Sequence, residues 1–251
     1  LYNLLQNSEI YNSHVDCDRV QDMYSLRCMP QVHGASRDVL SSAQKMINVE
    51  VNSVSDNPLI FSKEGNIISA GHFHAESVGQ AMDISAIALT ELGNICERRT
   101  YSLVDGKFDL PPFLVKDSGL NSGFMIMQVA AAALTSENKT YAFPSTVDSI
   151  PTGGGQEDHV SMAPWAGRKL LKIIKNLEKL FSIEILCSCQ AISFRKGLLP
   201  AKNLLPILNK VREKVPYLEK DRYMYQDQKY VLNLIRSGII VDIIEKKLKL
   251  K

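Results

Sequence analysis

Apolar residues recur along this chain at three- and four-residue steps. Val32, Ala35, Val39, Ala43, Met46 and Ile47 form one such stripe. Val78, Met82, Ala86, Leu89, Leu92 and Cys96 form a second, and Leu170, Ile173, Ile174, Leu177, Leu180 and Phe181 a third. This period predicts amphipathic α-helices. The third is expected from about Glu157 to about Arg195, with Arg168, Lys172, Lys175 and Lys179 on its wet face. Pro164 then falls in its first turns, where proline is tolerated. A fourth helix is expected from about Asn121 to Tyr141, and its alanine-rich Val129–Leu134 stretch lets a neighbouring helix approach closely. Asn203 is a candidate N-cap for a helix ending before Pro216, and Asp227 for another that stops at Gly238. Strand signals reduce to one hairpin, Leu59-Ile60-Phe61 and Asn66-Ile67-Ile68 around Lys63-Glu64-Gly65. The pattern predicts an all-α protein, an elongated helical bundle with long central helices and polar loops.

Composition narrows the class. With 251 residues, 45% hydrophobic and net charge +2, the chain is too apolar and too weakly charged for disorder. The longest nearly apolar run, Phe124–Leu134, is far short of the ~18–20 residues that cross a bilayer. Residues 201–251 carry 12 Lys and Arg against 6 Asp and Glu, while the remainder carries 17 against 21. A basic end can touch nucleic acid. No aromatic interleaving accompanies it, so the expected partners include neither nucleic acid nor membrane, and the charge reads as a solvated helix face and a frayed tail at 246–251. Five cysteines, an odd number without a Cys-x-x-Cys pair, predict reduced thiols in a cytoplasmic protein and no zinc site. His72 and His74 share strand-like spacing but bring no third ligand, so no metal site is expected. The opening Leu1-Tyr2-Asn3, without Met, suggests a piece of a longer protein.

The candidate chemistry lies in polar segments between the helices, where loops on a rigid scaffold often carry function. Arg27 offers a planar fork for a carboxylate. Tyr24 and Gln21 precede it at three-residue steps, so a helical turn would align all three. The same spacing also describes a solvated surface turn. Glu157 follows Gly153-Gly154-Gly155-Gln156 at the expected start of a helix, where a carboxylate is favoured by the helix amides. An ordinary capping carboxylate fits there equally. No Gly-Lys-Ser/Thr follows the glycines, which excludes a phosphate loop. Asp56-Asn57-Pro58 reads as a turn, and Phe73 alone as core.

Taken together, the segments Val20–Cys28 with Pro30-Gln31-Val32, Ser55–Pro58, Phe73-His74-Ala75-Glu76, Leu110–Leu114 with Asn121–Met125, and Gln156–Met162 resemble the aromatic amino acid lyase family, in the family's order. The likeness is to the carboxy-terminal half of its histidine-acting branch. The resemblance implies an all-α bundle, a homotetramer, and non-oxidative loss of ammonia from L-histidine to give trans-urocanate. It implies a methylidene-imidazolone electrophile made from an internal Ala-Ser-Gly. On this resemblance Arg27 binds the substrate carboxylate, Tyr24 stands near the electrophile, Gln21 hydrogen-bonds in the same site and Phe73 forms an aromatic wall. Glu157 faces the imidazole end of the substrate. Its carboxylate, followed by Asp158-His159, favours histidine over phenylalanine, whose lyases usually carry an amide there. Gly71-His72-Phe73 departs from the usual Gly-Asn-Phe, and Gly155 replaces a small polar residue before Gln156.

The largest departure is that no Ala-Ser-Gly occurs. Ala35-Ser36-Arg37 comes nearest, but it lies in a helical stripe and lacks the glycine needed for ring closure. The chain is therefore expected to be inactive alone, as residues 1–251 of a carboxy-terminal helical portion. A non-catalytic assembly module derived from the family, or a lyase for another aromatic amino acid, are the alternatives. The fumarase and argininosuccinate lyase group ranks below these, because its serine-rich loop is not visible.

Overall fold

The computed structural model describes residues 2–246. Of the tail at 246–251 expected to fray, residues 247–251 lie outside the described residues, and Lys246 is the C-cap of the last helix. The chain folds into helices α1 (Tyr2–Leu5), α2 (Glu9–Asn12), α3 (Tyr24–Arg27), α4 (Met29–Val51), α5 (Glu76–Val104), α6 (Met125–Tyr141), α7 (Ala163–Ser193), α8 (Leu205–Arg212), α9 (Tyr225–Arg236) and α10 (Ile239–Glu245). One antiparallel hairpin pairs β1 (Leu59–Phe61) with β2 (Asn66–Ile68), with Leu59 opposite Ile68. The all-α expectation holds, and each apolar stripe lies on the helix it predicted. Among the described residues, no helix is long and apolar enough to cross a membrane.

The fold divides into two compact units. The first comprises residues 1–29, 93–135 and 177–251, and the second residues 30–92 and 136–176. In the first unit Leu114, Val115, Leu180, Ile183, Val211 and Val231 form a sealed apolar centre. Gln190 is buried there and fully occupied. Its amide NH2 donates to the carbonyls of Leu114 and Leu218, both at 3.0 Å, and its oxygen accepts the Leu218 N–H at 3.2 Å. Those bonds tie α7 to two loops that lack regular partners of their own.

The second unit has a charged centre. Asp83 on α5 and Lys169 on α7 are each 3% exposed, with Nζ 3.8 Å from Oδ1. Asp83 Oδ2 accepts the N–H groups of Ser145 (2.7 Å) and Thr146 (2.8 Å) and the Thr146 hydroxyl (3.0 Å). Lys169 Nζ donates to the Phe143 carbonyl. One ion pair thus anchors the segment that leaves α6 and leads to the triple glycine. Nearby, the Asn176 amide donates to Glu137 at 2.9 Å and to Asn138 at 3.0 Å, joining α6 to α7.

Four boundaries differ from the sequence reading, each for a physical reason. Helix α6 starts at Met125, not Asn121, because the Ser122 and Gly123 N–H groups donate to Asp221 at 2.8 and 2.7 Å. Gly123 has φ 52°, and a Cβ there would stand 2.3 Å from the Phe113 carbonyl. Helix α7 starts at Ala163, six residues after Glu157, because the Glu157 backbone is paired with Thr152. Asn203 does not cap α8; its amide donates to the Asn3 carbonyl at 2.8 Å, and Leu204 is the cap. Asp227 lies inside the first turn of α9, nearly buried, paired with Arg222 at 2.6 Å. For α6 and Asn203 the overriding partner is distant in sequence; for Glu157 and Asp227 it lies five residues away.

Candidate functional site

In the second unit, the segment 151–162 turns back on itself. The Thr152 N–H donates to the Glu157 carbonyl at 2.9 Å, and the Glu157 N–H to the Thr152 carbonyl at 3.3 Å. The Thr152 hydroxyl also donates to the Glu157 carboxylate. Gly153–Gly155 make the tight turn between them. Gly153 has φ 57°, and a Cβ on it would lie 2.9 Å from the Glu157 carboxyl carbon. The glycine is therefore needed twice, for its left-handed backbone and for its missing side chain. Glu157 does not begin a helix, because its backbone is committed to Thr152. It is a locked loop carboxylate, which corrects the reading of it as a helix cap.

The loop continues through His159 to Met162, whose φ of 52° redirects the chain into α7. Pro164 then sits in the first turn of that helix. The Val160 N–H donates to the Ser149 hydroxyl at 2.9 Å. Phe73, His74, Gln156, Glu157, His159 and Met162 line an open cavity of about 470 Å³. Phe73 is 58% exposed, so it is a wall and not core. His74 and His159 stack with centroids 5.4 Å apart, and His74 Nε2 donates to the His159 carbonyl at 3.0 Å. Asn57 supports this end of the unit. Its side-chain oxygen accepts the Ala70 N–H at 3.1 Å and the Ser69 hydroxyl at 3.2 Å, just before Gly71-His72-Phe73.

In the first unit, α3 is a single turn from Tyr24 to Arg27. The Arg27 guanidinium lies over the Tyr24 ring, 4.9 Å from its centroid. Both side chains are exposed. Gln21 precedes Met23, whose extended backbone (ψ 152°) starts the turn, so Gln21 is not on the same helical face. The structure therefore brings Tyr24 and Arg27 together and leaves Gln21 outside their turn. Beside them, Leu26, Phe108, Leu110 and Ile192 line an apolar cavity of about 310 Å³ that also meets Arg99 and Glu184. Glu184 pairs with Arg99 through two hydrogen bonds. Burial alone lowers the Arg99 pKa, but the Glu184 hydrogen bond and charge together outweigh it and raise the value. Burial and the Glu184 charge push the neighbouring Cys96 thiol up, so it is an inert apolar group at neutral pH.

Sequence reasoning named Phe73 and Glu157 separately, and they line one cavity. It missed Glu76 and His159, which stand beside His74. Their signal was present in the Asp158-His159 pair and the Phe-His-Ala-Glu run, but 83 to 85 residues of chain separate the partners.

The fold and these loops define a class: a helical scaffold that carries an arginine–tyrosine turn in its first unit and, in its second, a locked glutamate beside an aromatic wall. Residues 1–213 match the sequence profile of the aromatic amino acid lyases. Histidine ammonia-lyase of Gloeobacter violaceus is 48% identical over 244 residues, covering 96% of this chain and 48% of that protein. That of Shewanella sediminis is 51% identical over 238 residues, covering 94% and 47%. Among solved structures, histidine ammonia-lyase from Trypanosoma cruzi superimposes with TM-score 0.86 at 42% identity, covering 90% of this chain and 45% of that one. Tyrosine aminomutase from Streptomyces globisporus gives TM-score 0.87 at 32% identity, covering 99% and 51%. The chain belongs to the aromatic amino acid lyase family. It spans about half the length of the curated relatives it matches.

Proposed function

We propose that this chain forms the carboxy-terminal helical portion of a histidine ammonia-lyase, which eliminates ammonia from L-histidine to give trans-urocanate. The observation that carries the reading is Glu157, fixed by Thr152 in the cavity that Phe73 lines. A carboxylate there can accept the imidazole N–H of histidine and take up or return a proton. An apolar aromatic substrate would leave it unpaired, which costs affinity. The identity of about 50% to histidine ammonia-lyases supports the same substrate. Arg27 binds the substrate carboxylate through its fork. Tyr24, kept beside Arg27, supplies a phenol near the reacting centre, and Gln21 adds a hydrogen-bonding amide.

The methylidene-imidazolone that the family's chemistry implies does not fit this chain's residues. No Ala-Ser-Gly occurs among them, and Ala35-Ser36-Arg37 is locked within α4, with Ser36 4% exposed. The electrophile comes from residues outside this chain, and the 251 residues alone are inactive. The complete enzyme is a cytoplasmic homotetramer.

The same absence of Ala-Ser-Gly favours a second reading, a helical assembly module without catalysis. One experiment separates the two. The complete gene product is incubated with L-histidine, L-phenylalanine or L-tyrosine, and product formation is followed by ultraviolet absorbance. Urocanate from L-histidine, reduced in Glu157→Gln, supports the lyase. A folded complete product that releases no urocanate overturns it. Turnover by the 251-residue chain alone would refute the external origin of the electrophile.

A further inference from the structure

Three donor side chains of the second unit meet where the loop before α5 faces the loop after the triple glycine. His74 Nε2 and His159 Nδ1 stand 3.4 Å apart. Two nitrogens bound at ~2.1 Å to a tetrahedral zinc ion are separated by about the same distance. His74 Nδ1 lies 3.7 Å from Glu76 Oε2. One ligand atom from each of His74, Glu76 and His159 falls within 4.8 Å of the other two. A rotamer adjustment of about an ångström therefore brings all three to one centre.

The carboxylate is prepared for such a role. Glu76 Oε1 accepts a hydrogen bond from the Gln80 side chain at 2.9 Å, which orients the group. Oε2 is shielded from solvent, yet has no hydrogen-bond partner among the described residues. A buried carboxylate oxygen without a donor is costly, and a cation satisfies it. His74 Nε2 stands 3.0 Å from the His159 carbonyl oxygen and 3.4 Å from His159 Nδ1, so a cation bound by both facing nitrogens replaces the His74 N–H···O=C bond, and the His74 ring proton must leave Nε2. Neither histidine is held this way by the sequence spacing that pairs His74 with His72.

We propose that His74, Glu76 and His159 bind one zinc-class divalent cation. Two imidazole nitrogens and one carboxylate oxygen form a borderline donor set that suits zinc, cobalt or nickel over magnesium or calcium. Three protein ligands leave a fourth position open. His74 and His159 line the same cavity as Phe73 and Glu157. The bound ion ties the loop that carries Glu157 to the first turn of α5. The inference rests on this local geometry and holds whether or not the chain serves a lyase.

Cobalt(II) is the probe, titrated into the 251-residue chain purified without a polyhistidine tag. The expected result is one equivalent bound, with visible d–d bands of four-coordinate intensity and without a sulfur charge-transfer band. Zinc should displace it. His74→Ala and His159→Ala should each abolish the bands, while His72→Ala, two residues away, retains them. Glu76→Gln should weaken binding at least ~10-fold. Circular dichroism of each variant confirms folding, and His159→Asn replaces any variant that does not fold. Absence of d–d bands, bands that survive His159→Ala, or a sulfur charge-transfer band from the cysteines would each overturn the site.

Discussion

Removing the carboxylate of Asp83 should be among the most damaging single changes in the second unit. In Asp83→Ala the Ser145 and Thr146 N–H groups and the Thr146 hydroxyl lose their common acceptor. Hydrogen bonds to a charged group contribute about 1.5–3 kcal/mol each, so the gross loss is roughly 5–9 kcal/mol. The ion pair at 3.8 Å adds about 4 kcal/mol at an effective dielectric constant near 20. Against this, the mutation relieves the desolvation of one buried ion, several kcal/mol. Lys169, 3% exposed, then keeps the Phe143 carbonyl as its hydrogen-bond partner among the described residues, with no carboxylate beside it. The net expectation is a loss of about 3–5 kcal/mol, the range for breaking a buried pair from one side. Trp165 is the only tryptophan of the chain and lies one turn before Lys169 on α7, so urea unfolding followed by its fluorescence reports on this region. The double variant Asp83→Leu/Lys169→Met should recover at least ~2 kcal/mol relative to Asp83→Leu, because no unpaired charge is left. A single-variant loss below about 1 kcal/mol, or a double variant no better than the single, would refute the assignment of Asp83 and Lys169 as the anchor.

Other outcomes follow from the same physics. Gln190→Leu leaves two carbonyls and one N–H unpaired inside the first unit, and urea unfolding should show a loss of about 2–4 kcal/mol. Burial raises the thiols of Cys96, Cys187 and Cys189, the last to about 11, from an ordinary value of 9.0. A thiol raised on folding stabilises the fold fully below pH 9.0 and loses that contribution as pH rises through its folded value. Stability should therefore fall above pH 9, by about 1.4 kcal/mol per pH unit for each thiol that only the unfolded chain ionises. Cys189→Ala should flatten that slope between pH 9 and 11; an unchanged slope rejects the cause. In the complete gene product, Arg27→Ala should raise KM for histidine tenfold or more, since the substrate carboxylate loses a bidentate partner; an unchanged KM rejects that role. Gly153→Ala places a methyl group against Glu157 and should lower kcat while far-ultraviolet circular dichroism stays unchanged.

Much of the scaffold was legible in the chain. The stripe from Val78 to Cys96 lies within α5, and the one from Leu170 to Phe181 within α7, because burying one face of a long helix imposes its period on the sequence. The hairpin 59–68 also formed where turn residues separate two apolar triplets. Helix ends were less legible. Asn203 and Asp227 have the chemistry of caps, yet each found a stronger partner, the Asn3 carbonyl and Arg222. Capping contributes only about 1 kcal/mol, so a tertiary contact for Asn203 and a charged neighbour five residues away for Asp227 suffice to override it.

The same division applies to the site. Residue types and their order along the chain determined the helical class, the family likeness, and the identities of Tyr24, Arg27, Phe73 and Glu157 as polar or aromatic groups between helices. Tertiary structure decided that Glu157 is a loop carboxylate locked by Thr152 and not a helix cap, and that Phe73 shares its cavity. It also decided that His74 and Glu76 meet His159 across 85 residues of chain. Periodicity records which face of an element is buried, a local property written every three or four residues. Which loops then meet depends on how helices pack and where buried groups such as Asp83 anchor them, and no local pattern encodes that distance.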